Sequence, residues 1–188
     1  MLAALASAQA ARDPMTAAHC TRVTQLACTL ATWMGWDEHR LQRLRVGARL
    51  HDIGKVMISE AILRKRGPLS TEELGEIRTH PAAGARLIAP VGPAQDALPY
   101  VLYHHERWDG SGYPTRRPGS DVPEGARLLA VVDAFDAMTS TRPYRRALPT
   151  FHALAEIERC AGTQFDPEAA QAFLRAWSAG AFASAAAI

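Results

Sequence analysis

The sequence is poor in the features that mark several common classes of protein. It has three cysteines in 188 residues, and Cys20, Cys28 and Cys160 form no CxxC pair. This pattern argues against a disulfide framework or a zinc ribbon and favours reduced thiols in the cytoplasm. No apolar run approaches the ~20 residues that a membrane-spanning helix needs. The formal net charge of +2 is too small to indicate a nucleic acid as partner.

Strand-type alternation of apolar and polar residues is also missing, whereas apolar residues recur at helical spacing. With 48% hydrophobic residues, the chain is expected to form one globular all-α domain. We place this domain at residues 13–178, after an N-terminal helix or linker over 1–12 and before an Ala-rich tail over 179–188. The start lacks the basic region of a signal peptide. The chain is expected to be either a fragment of a longer protein or a stand-alone protein.

Local signals predict where the helices begin and end. Asp13 before Pro14 is typical of a helix start, and Ser70 with Glu73 is typical of a capping box. Gly and Pro recur between 107 and 123, which predicts a long loop of the kind that is often functional. Helices are predicted at about 14–34, 37–51, 71–80, 81–89, 93–106, 124–139, 150–161 and 167–177.

Histidine and aspartate cluster in short motifs at or near the predicted helix ends. His51 and Asp52 belong to HDIGK, and the double histidine His104-His105 opens HHERWDGSGYP. Such polar pairs are costly to bury unless something binds them. Asp133 interrupts an apolar helix and would be neutral there without a cationic partner. A divalent metal would keep it ionised, and a salt bridge to an arginine is the alternative.

These motifs carry a resemblance to a known family. Together with KRGPL (65–69), His80-Pro81 and DAFDAMTSTRPYR (133–145), they resemble the HD-GYP family of cyclic di-GMP phosphodiesterases, within the HD superfamily of metal-dependent phosphohydrolases. The resemblance covers residues 13–175. It implies a compact helical HD-domain bundle with a long GYP loop.

The resemblance also implies a set of metal ligands that share Asp52 as a bridge. One metal would be held by His19, His51, Asp52 and Asp133, and the second by Asp52, His80, His104 and His105. Imidazole and carboxylate donors suit iron, which is favoured, or manganese. Some family members hold a third metal with a glutamate at the position of Met15. Since Met15 offers no hard oxygen, two metals are expected.

The expected chemistry is two-metal hydrolysis, in which a bridging water attacks phosphorus in line with the leaving oxygen. Asp52 and Lys55 would be catalytic, with Lys55 adding positive charge at the phosphate. The resemblance places substrate contacts at Asp13, Lys55, Tyr113, Asp136, Arg142 and Arg145. For the two arginines, a solvated surface or pairing with Asp136 is the alternative. Tyr113 would stack on a guanine or line a docking surface for diguanylate cyclase (GGDEF) domains.

The function implied is cytoplasmic hydrolysis of cyclic di-GMP to pGpG, with GMP as a further product. Two alternatives stay open: a phosphohydrolase for another nucleotide, including dNTPs, ppGpp and hybrid cyclic dinucleotides, and a receptor or docking module without turnover. The family also suggests an N-terminal sensor or receiver domain in a longer protein. A homodimer is left open.

Overall fold

The structure is a computed structural model that describes residues 2–141 and 146–183. Over these ranges the chain is helical, and its only strand-like feature is an isolated bridge between Ala161 and Phe165. The all-α prediction is confirmed. The α-helices are α1 Leu2–Arg12, α2 Pro14–Trp33, α3 Glu38–Leu50, α4 Glu60–Leu63, α5 Thr71–Ile77, α6 His80–Ile88, α7 Leu98–Tyr103, α8 Glu124–Thr139, α9 Thr150–Arg159 and α10 Pro167–Ser178. Short 3₁₀ segments cover Ile53–Met57, Gly92–Ala97 and Gly119–Asp121.

Helix starts follow the predicted capping signals. Asp13 accepts a hydrogen bond from the backbone N–H of Thr16 at 3.0 Å, and Ser70 and Glu73 form the reciprocal capping box. The single helix predicted over 93–106 is wrong, because this stretch is a 3₁₀ segment followed by the six residues of α7. Proline fits only the first turn of a helix, and Pro99 accordingly lies at the start of α7.

The main hydrophobic core surrounds α8, which packs against α2, α7, α9 and α10. Its buried residues include Leu128, Leu129, Val131 and Val132, all without exposed surface. A smaller cluster, with Leu50, Ile53, Ile88 and Val101 among its members, lies between α3, the HDIGK segment, α6 and α7. The helix ends that carry the His and Asp motifs therefore adjoin well-packed cores. Within the described residues, none of the helices combines the length and apolar character required to cross a bilayer.

Two close approaches of the backbone bring the motifs together. Gly47 of α3 and Gly125 of α8 both face Tyr100, and a Cβ atom would lie 2.5 Å from the Tyr100 ring at Gly47 and 2.4 Å at Gly125. At Gly54 a Cβ atom would lie 1.9 Å from the backbone oxygen of His80 and 2.6 Å from the backbone nitrogen of Gly84. Glycine at 47 and 125 allows α7 to approach α3 and α8. Glycine at 54 allows α6 to approach the segment that follows α3.

We predict that Gly54→Ala destabilises the protein by at least about 2 kcal/mol, because the added methyl meets rigid backbone of α6. The melting temperature should fall by about 5 °C or more, as measured by circular dichroism. Gly75→Ala is the control: Gly75 lies in α5 with no other group within 4 Å of a Cβ, so the variant should gain about 0.5–1 kcal/mol of helix propensity. Equal melting temperatures for the two variants would contradict the close approach.

Candidate metal centre

Seven histidine and aspartate side chains from five helical elements converge on one region. α2 supplies His19, the end of α3 supplies His51 and Asp52, and α6 begins with His80. The remaining three are His104 and His105, which follow α7, and Asp133 of α8. All seven residues that the sequence predicted as ligands therefore lie together, in two adjoining groups. Within each group the donor atoms are within 4.8 Å of one another.

The first group contains His19, His51 and Asp133. His19 Nε2 lies 3.0 Å from Asp133 Oδ1, and His51 Nε2 lies 3.9 Å from the same oxygen. His51 has no exposed surface and His19 is 7% exposed. Two imidazoles and a carboxylate thus face one small space that is nearly closed to solvent.

Asp52 connects this group to the second one. Its Oδ2 atom lies 3.6 Å from His51 Nε2 and 3.9 Å from His19 Nε2, whereas its Oδ1 atom lies 3.2 Å from His80 Nε2. The second group consists of Asp52, His80, His104 and His105. The two oxygens of one carboxylate therefore face different groups, as a bridging ligand would require.

Four of the histidines are oriented through their Nδ1 atoms. His51, His80 and His104 bond the backbone carbonyls of Ala48, Ile77 and Val101, at 2.8, 2.7 and 2.8 Å. His19 Nδ1 instead bonds the Asp136 carboxylate at 2.7 Å. In each ring the Nε2 atom is left facing the cluster. Histidines that ligate metals are typically held by such bonds to the other nitrogen.

The cluster contains polar atoms that no hydrogen bond satisfies. His51 Nε2 and Asp52 Oδ1 are both fully buried without a partner, and His80 Nε2 lies 3.3 Å from His104 Nε2. Unpartnered buried polar atoms are rare, because leaving them so is costly. Imidazole nitrogens and carboxylate oxygens are donors for a divalent cation, so these residues fit a metal site.

Charges in the first group raise the proton affinity of its histidines. Burial acts to lower the pKa of His19, but the hydrogen bonds to Asp133 and Asp136 outweigh it and raise the pKa to about 9. At His51 burial is likewise outweighed, by Cys20 and Asp52, and the pKa is raised to about 9. Burial opposes ionisation of Asp52, yet Lys55 and His51 hold its pKa well below the ordinary value.

The double histidine behaves in the opposite way. Burial lowers the pKa of His105 to about 3, even though the nearby Asp133 acts to raise it. Burial, together with repulsion from the neighbouring His105 and His51 rings when they carry a proton, also holds the pKa of His104 well below its ordinary value. These two rings are thus neutral at physiological pH and ready to donate a lone pair.

Three charged or thiol groups adjoin the cluster. Lys55 donates to Asp52 Oδ2 at 2.6 Å, and its ammonium pKa is raised because Asp52 outweighs its burial. Arg22 donates to Asp136 and was not predicted from the sequence. Its position one turn after His19 on α2 is the sequence feature that could have indicated it. Cys20 is 1% exposed, and its sulfur lies near donor atoms of His51 and Asp52.

The loop over 107–123 is tied down beside the double histidine. The backbone N–H groups of Trp108 and Asp109 donate to the carbonyls of Gln164 and Thr163 at 3.1 and 2.8 Å. A Cβ atom at Gly112 would lie 2.4 Å from the backbone nitrogen of Arg107, so close chain approach requires this glycine. Tyr113 packs its ring against His105, with 4.8 Å between centroids.

Glu106 and Asp109 hold this loop through hydrogen bonds within it. Glu106 accepts from the backbone and hydroxyl of Thr115 at 2.6 and 2.7 Å. Its other oxygen is buried without a partner, so neither oxygen bonds a histidine. Asp109 accepts from Arg107 and from Ser111.

The predicted substrate contacts have different surroundings. Asp13 is engaged in its helix cap, where its second oxygen accepts from the Thr16 hydroxyl at 2.6 Å. Asp136 is 3% exposed, and both its oxygens accept hydrogen bonds. Arg142 and Arg145 lie outside the described residues. The substrate roles of all these residues stay predictions.

Comparison with known proteins identifies the family. The HD-domain family model matches residues 3–169. The chain belongs to the HD-domain family. This HD domain is 39% identical over 166 residues to a cyclic di-GMP phosphodiesterase of Thermotoga maritima, covering 87% of this chain and 45% of that protein. It is also 34% identical to 3'3'-cGAMP-specific phosphodiesterase 2 of Vibrio cholerae, covering 92% of this chain and 34% of that protein.

A solved structure supports the fold assignment. The HD domain matches Bd1817, a HDG"Y"P protein from Bdellovibrio bacteriovorus, with a TM-score of 0.70 and 22% identity, over 86% of this chain and 52% of that one. The family model and the curated relatives confirm the resemblance drawn from the sequence. The chain spans less than half the length of the two curated relatives, 45% and 34%.

We predict that metal binding by the first group strengthens as pH rises. Imidazole must lose its proton to bind a metal, and the pKa values of His19 and His51 are raised to about 9. Between pH 6 and 8, affinity should rise roughly 100-fold for each proton displaced. The group with His104 and His105 should change much less, because these rings are already neutral. Calorimetric titration with Mn²⁺ in buffers of different ionisation enthalpy measures the affinity of each group and the number of protons displaced. If the affinities of the two groups depended equally on pH, the different protonation of their histidines would be contradicted.

Proposed function

We propose that this HD domain is a metal-dependent phosphodiesterase that hydrolyses cyclic di-GMP to pGpG, with GMP as a further product to be tested. The proposal includes a centre for two divalent ions. Iron is the favoured metal, and manganese is the alternative. His19, His51, Asp52 and Asp133 would hold one ion, and Asp52, His80, His104 and His105 the other. Two ions rather than three are proposed because Met15 offers no hard oxygen ligand.

The position of Asp52 is the observation that carries this proposal. Its two oxygens face two groups of imidazoles, and its Oδ1 atom is buried without a hydrogen-bond partner. A single structural salt bridge would explain the contact with Lys55. It would not explain why five imidazoles surround this region, four of them bonded elsewhere through Nδ1 so that Nε2 faces the cluster.

Bound divalent cations supply Lewis acidity and an activated water for attack on phosphorus. The chain's own residues hold and screen this centre. Lys55 keeps its positive charge beside Asp52, where it would attract a phosphate oxygen. Tyr113, half-buried against His105, presents an aromatic ring on which a guanine would stack. Asp13, Arg142 and Arg145 complete the proposed contacts.

The relatives support cyclic dinucleotides as the substrate class. One is named for cyclic di-GMP and another for 3'3'-cGAMP. Cyclic di-GMP is preferred because the relative named for it shares more of this sequence. 3'3'-cGAMP is therefore the second candidate substrate. A receptor without turnover is disfavoured by the complete donor set.

We expect that protein reconstituted anaerobically with Fe²⁺ or Mn²⁺ converts cyclic di-GMP to pGpG faster than it cleaves 3'3'-cGAMP. Products are separated by anion-exchange chromatography at matched enzyme and metal concentrations. Faster cleavage of 3'3'-cGAMP would establish the second candidate. Tight binding of cyclic di-GMP with two bound metals and no product would indicate a receptor instead.

Asp52→Ala should lose metal and activity, because the shared carboxylate is removed from both groups. We expect hydrolysis to fall by more than about 100-fold, beyond what the loss of an outer ligand partner costs. Asp96→Ala is the matched control, since Asp96 is an exposed carboxylate outside the cluster. Metal content is measured by plasma mass spectrometry. Retained activity in Asp52→Ala would rule out its bridging role.

Partners beyond the substrate are proposals that rest on the family resemblance. We propose the surface of the GYP loop around Tyr113 as the docking site for diguanylate cyclase domains. On the same basis we propose a sensor or receiver domain on the N-terminal side, and a homodimer. Cytoplasmic location is proposed from the reduced cysteines and the cytoplasmic second messenger.

A further inference from the structure

One histidine of the metal cluster is oriented differently from the others. His51, His80 and His104 bond backbone carbonyls of the ends of α3, α5 and α7 through Nδ1. The last carbonyls of a helix have no intrahelical donor, so a nearby side chain can use them. His19 lies within α2, where the preceding carbonyls already accept the hydrogen bonds of the helix. Its Nδ1 atom therefore needs a side-chain partner.

Asp136 of α8 is that partner. Its Oδ2 atom lies 2.7 Å from His19 Nδ1. Asp136 follows Asp133 by three residues on α8, so the same face of one helix carries a candidate ligand and the group that orients another. The carboxylate is 3% exposed, and its position is thus set by its protein neighbours.

Arg22 fixes the carboxylate from its other side. It donates from Nε to Asp136 Oδ1 at 2.6 Å and from Nη2 to Asp136 Oδ2 at 2.9 Å. Ser140 contacts both groups, at 3.0 Å from Arg22 Nη2 and 3.2 Å from Asp136 Oδ2. A planar guanidinium that binds a carboxylate through two nitrogens fixes its orientation as well as its charge.

We infer that Arg22 and Asp136 are positioning residues for the metal centre, which act by holding His19 with its Nε2 atom towards Asp133 and Asp52. This inference rests on the proposed metal centre. It assigns Asp136 a role other than the substrate contact that the family resemblance suggested. Both of its oxygens are engaged by Arg22 and His19.

The test uses Mn²⁺ alone as the probe, so that its outcome does not depend on the substrate. Asp136→Asn keeps the side-chain shape and Arg22→Gln keeps a polar side chain, and each removes the charge of one partner. We expect each to weaken Mn²⁺ binding at the His19 group about 10- to 100-fold, with little change at the group of His80, His104 and His105. Paramagnetic resonance should show the coupled signal of a Mn²⁺ pair replaced by the six-line signal of a single ion. Arg22→Lys, which retains the charge, should recover part of the affinity.

Arg127→Gln provides a matched control. Arg127 also pairs with a buried aspartate, Asp166, which is 4% exposed and caps α10. This pair lies outside the metal cluster, so the variant should lose stability yet keep two Mn²⁺ ions at wild-type affinity. Thermal unfolding of all variants separates loss of stability from loss of metal affinity.

The outcomes separate positioning from the other roles. Wild-type Mn²⁺ affinity in Arg22→Gln and Asp136→Asn, with a raised KM for cyclic di-GMP, would overturn the inference and make Asp136 a substrate contact. Equal loss of affinity in Arg127→Gln would also overturn it, because general destabilisation would suffice. Wild-type protein that binds no Mn²⁺ would remove the metal centre itself. Wild-type protein that binds two Mn²⁺ ions without hydrolysis would defeat the proposed function and leave the positioning role to be decided by the affinities.

Discussion

A carboxylate with imidazoles on both sides sets the geometry of this domain. Asp52 is 1% exposed, and an uncompensated charge at such depth would be strongly unfavourable. Lys55 compensates one of its oxygens, while the other has no hydrogen-bond partner. The ends of α3 and α7 and the start of α6 must therefore meet within a few ångströms. The glycines at 47, 54 and 125 allow this approach, because side chains there would collide with Tyr100 or with the backbone of α6.

The histidines of the cluster are supported in two different ways. At His51, His80 and His104 the supporting acceptors are backbone carbonyls near helix ends, which any residue type can supply. Around His19 the support consists of side chains from α2 and α8, which only particular residues supply. The first kind of support depends on helix length, and the second depends on residue identity. The electrostatics instead follow the two groups of donors: the pKa values of His19 and His51 are raised to about 9, whereas that of His105 is lowered to about 3.

The local features of the fold were readable from the sequence, and the long-range ones were not. The start of α2 at Pro14 and the capping box at Ser70 follow from side chains that bond backbone a few residues away. The motif residues could be assigned to one site because the family resemblance implied that they bind metal together. Arg22 was missed because its partner Asp136 lies 114 residues away in the chain. The division of the stretch before His104 into a 3₁₀ segment and a short α7 was missed because the prolines were given too little weight.

The attachment of the GYP loop has a consequence for protein engineering. Trp108 and Asp109 donate to carbonyls of the turn between α9 and α10, and Arg107 reaches Gln164 in the same turn at 3.0 Å. The bonded residues lie more than fifty positions apart in the sequence, and their hydrogen bonds join the loop and the turn into one unit. A chimera that transplants residues 107–123 into another HD scaffold would have to carry residues 160–166 with it. Without them, the grafted segment would keep its glycines and lose the surface that gives it shape.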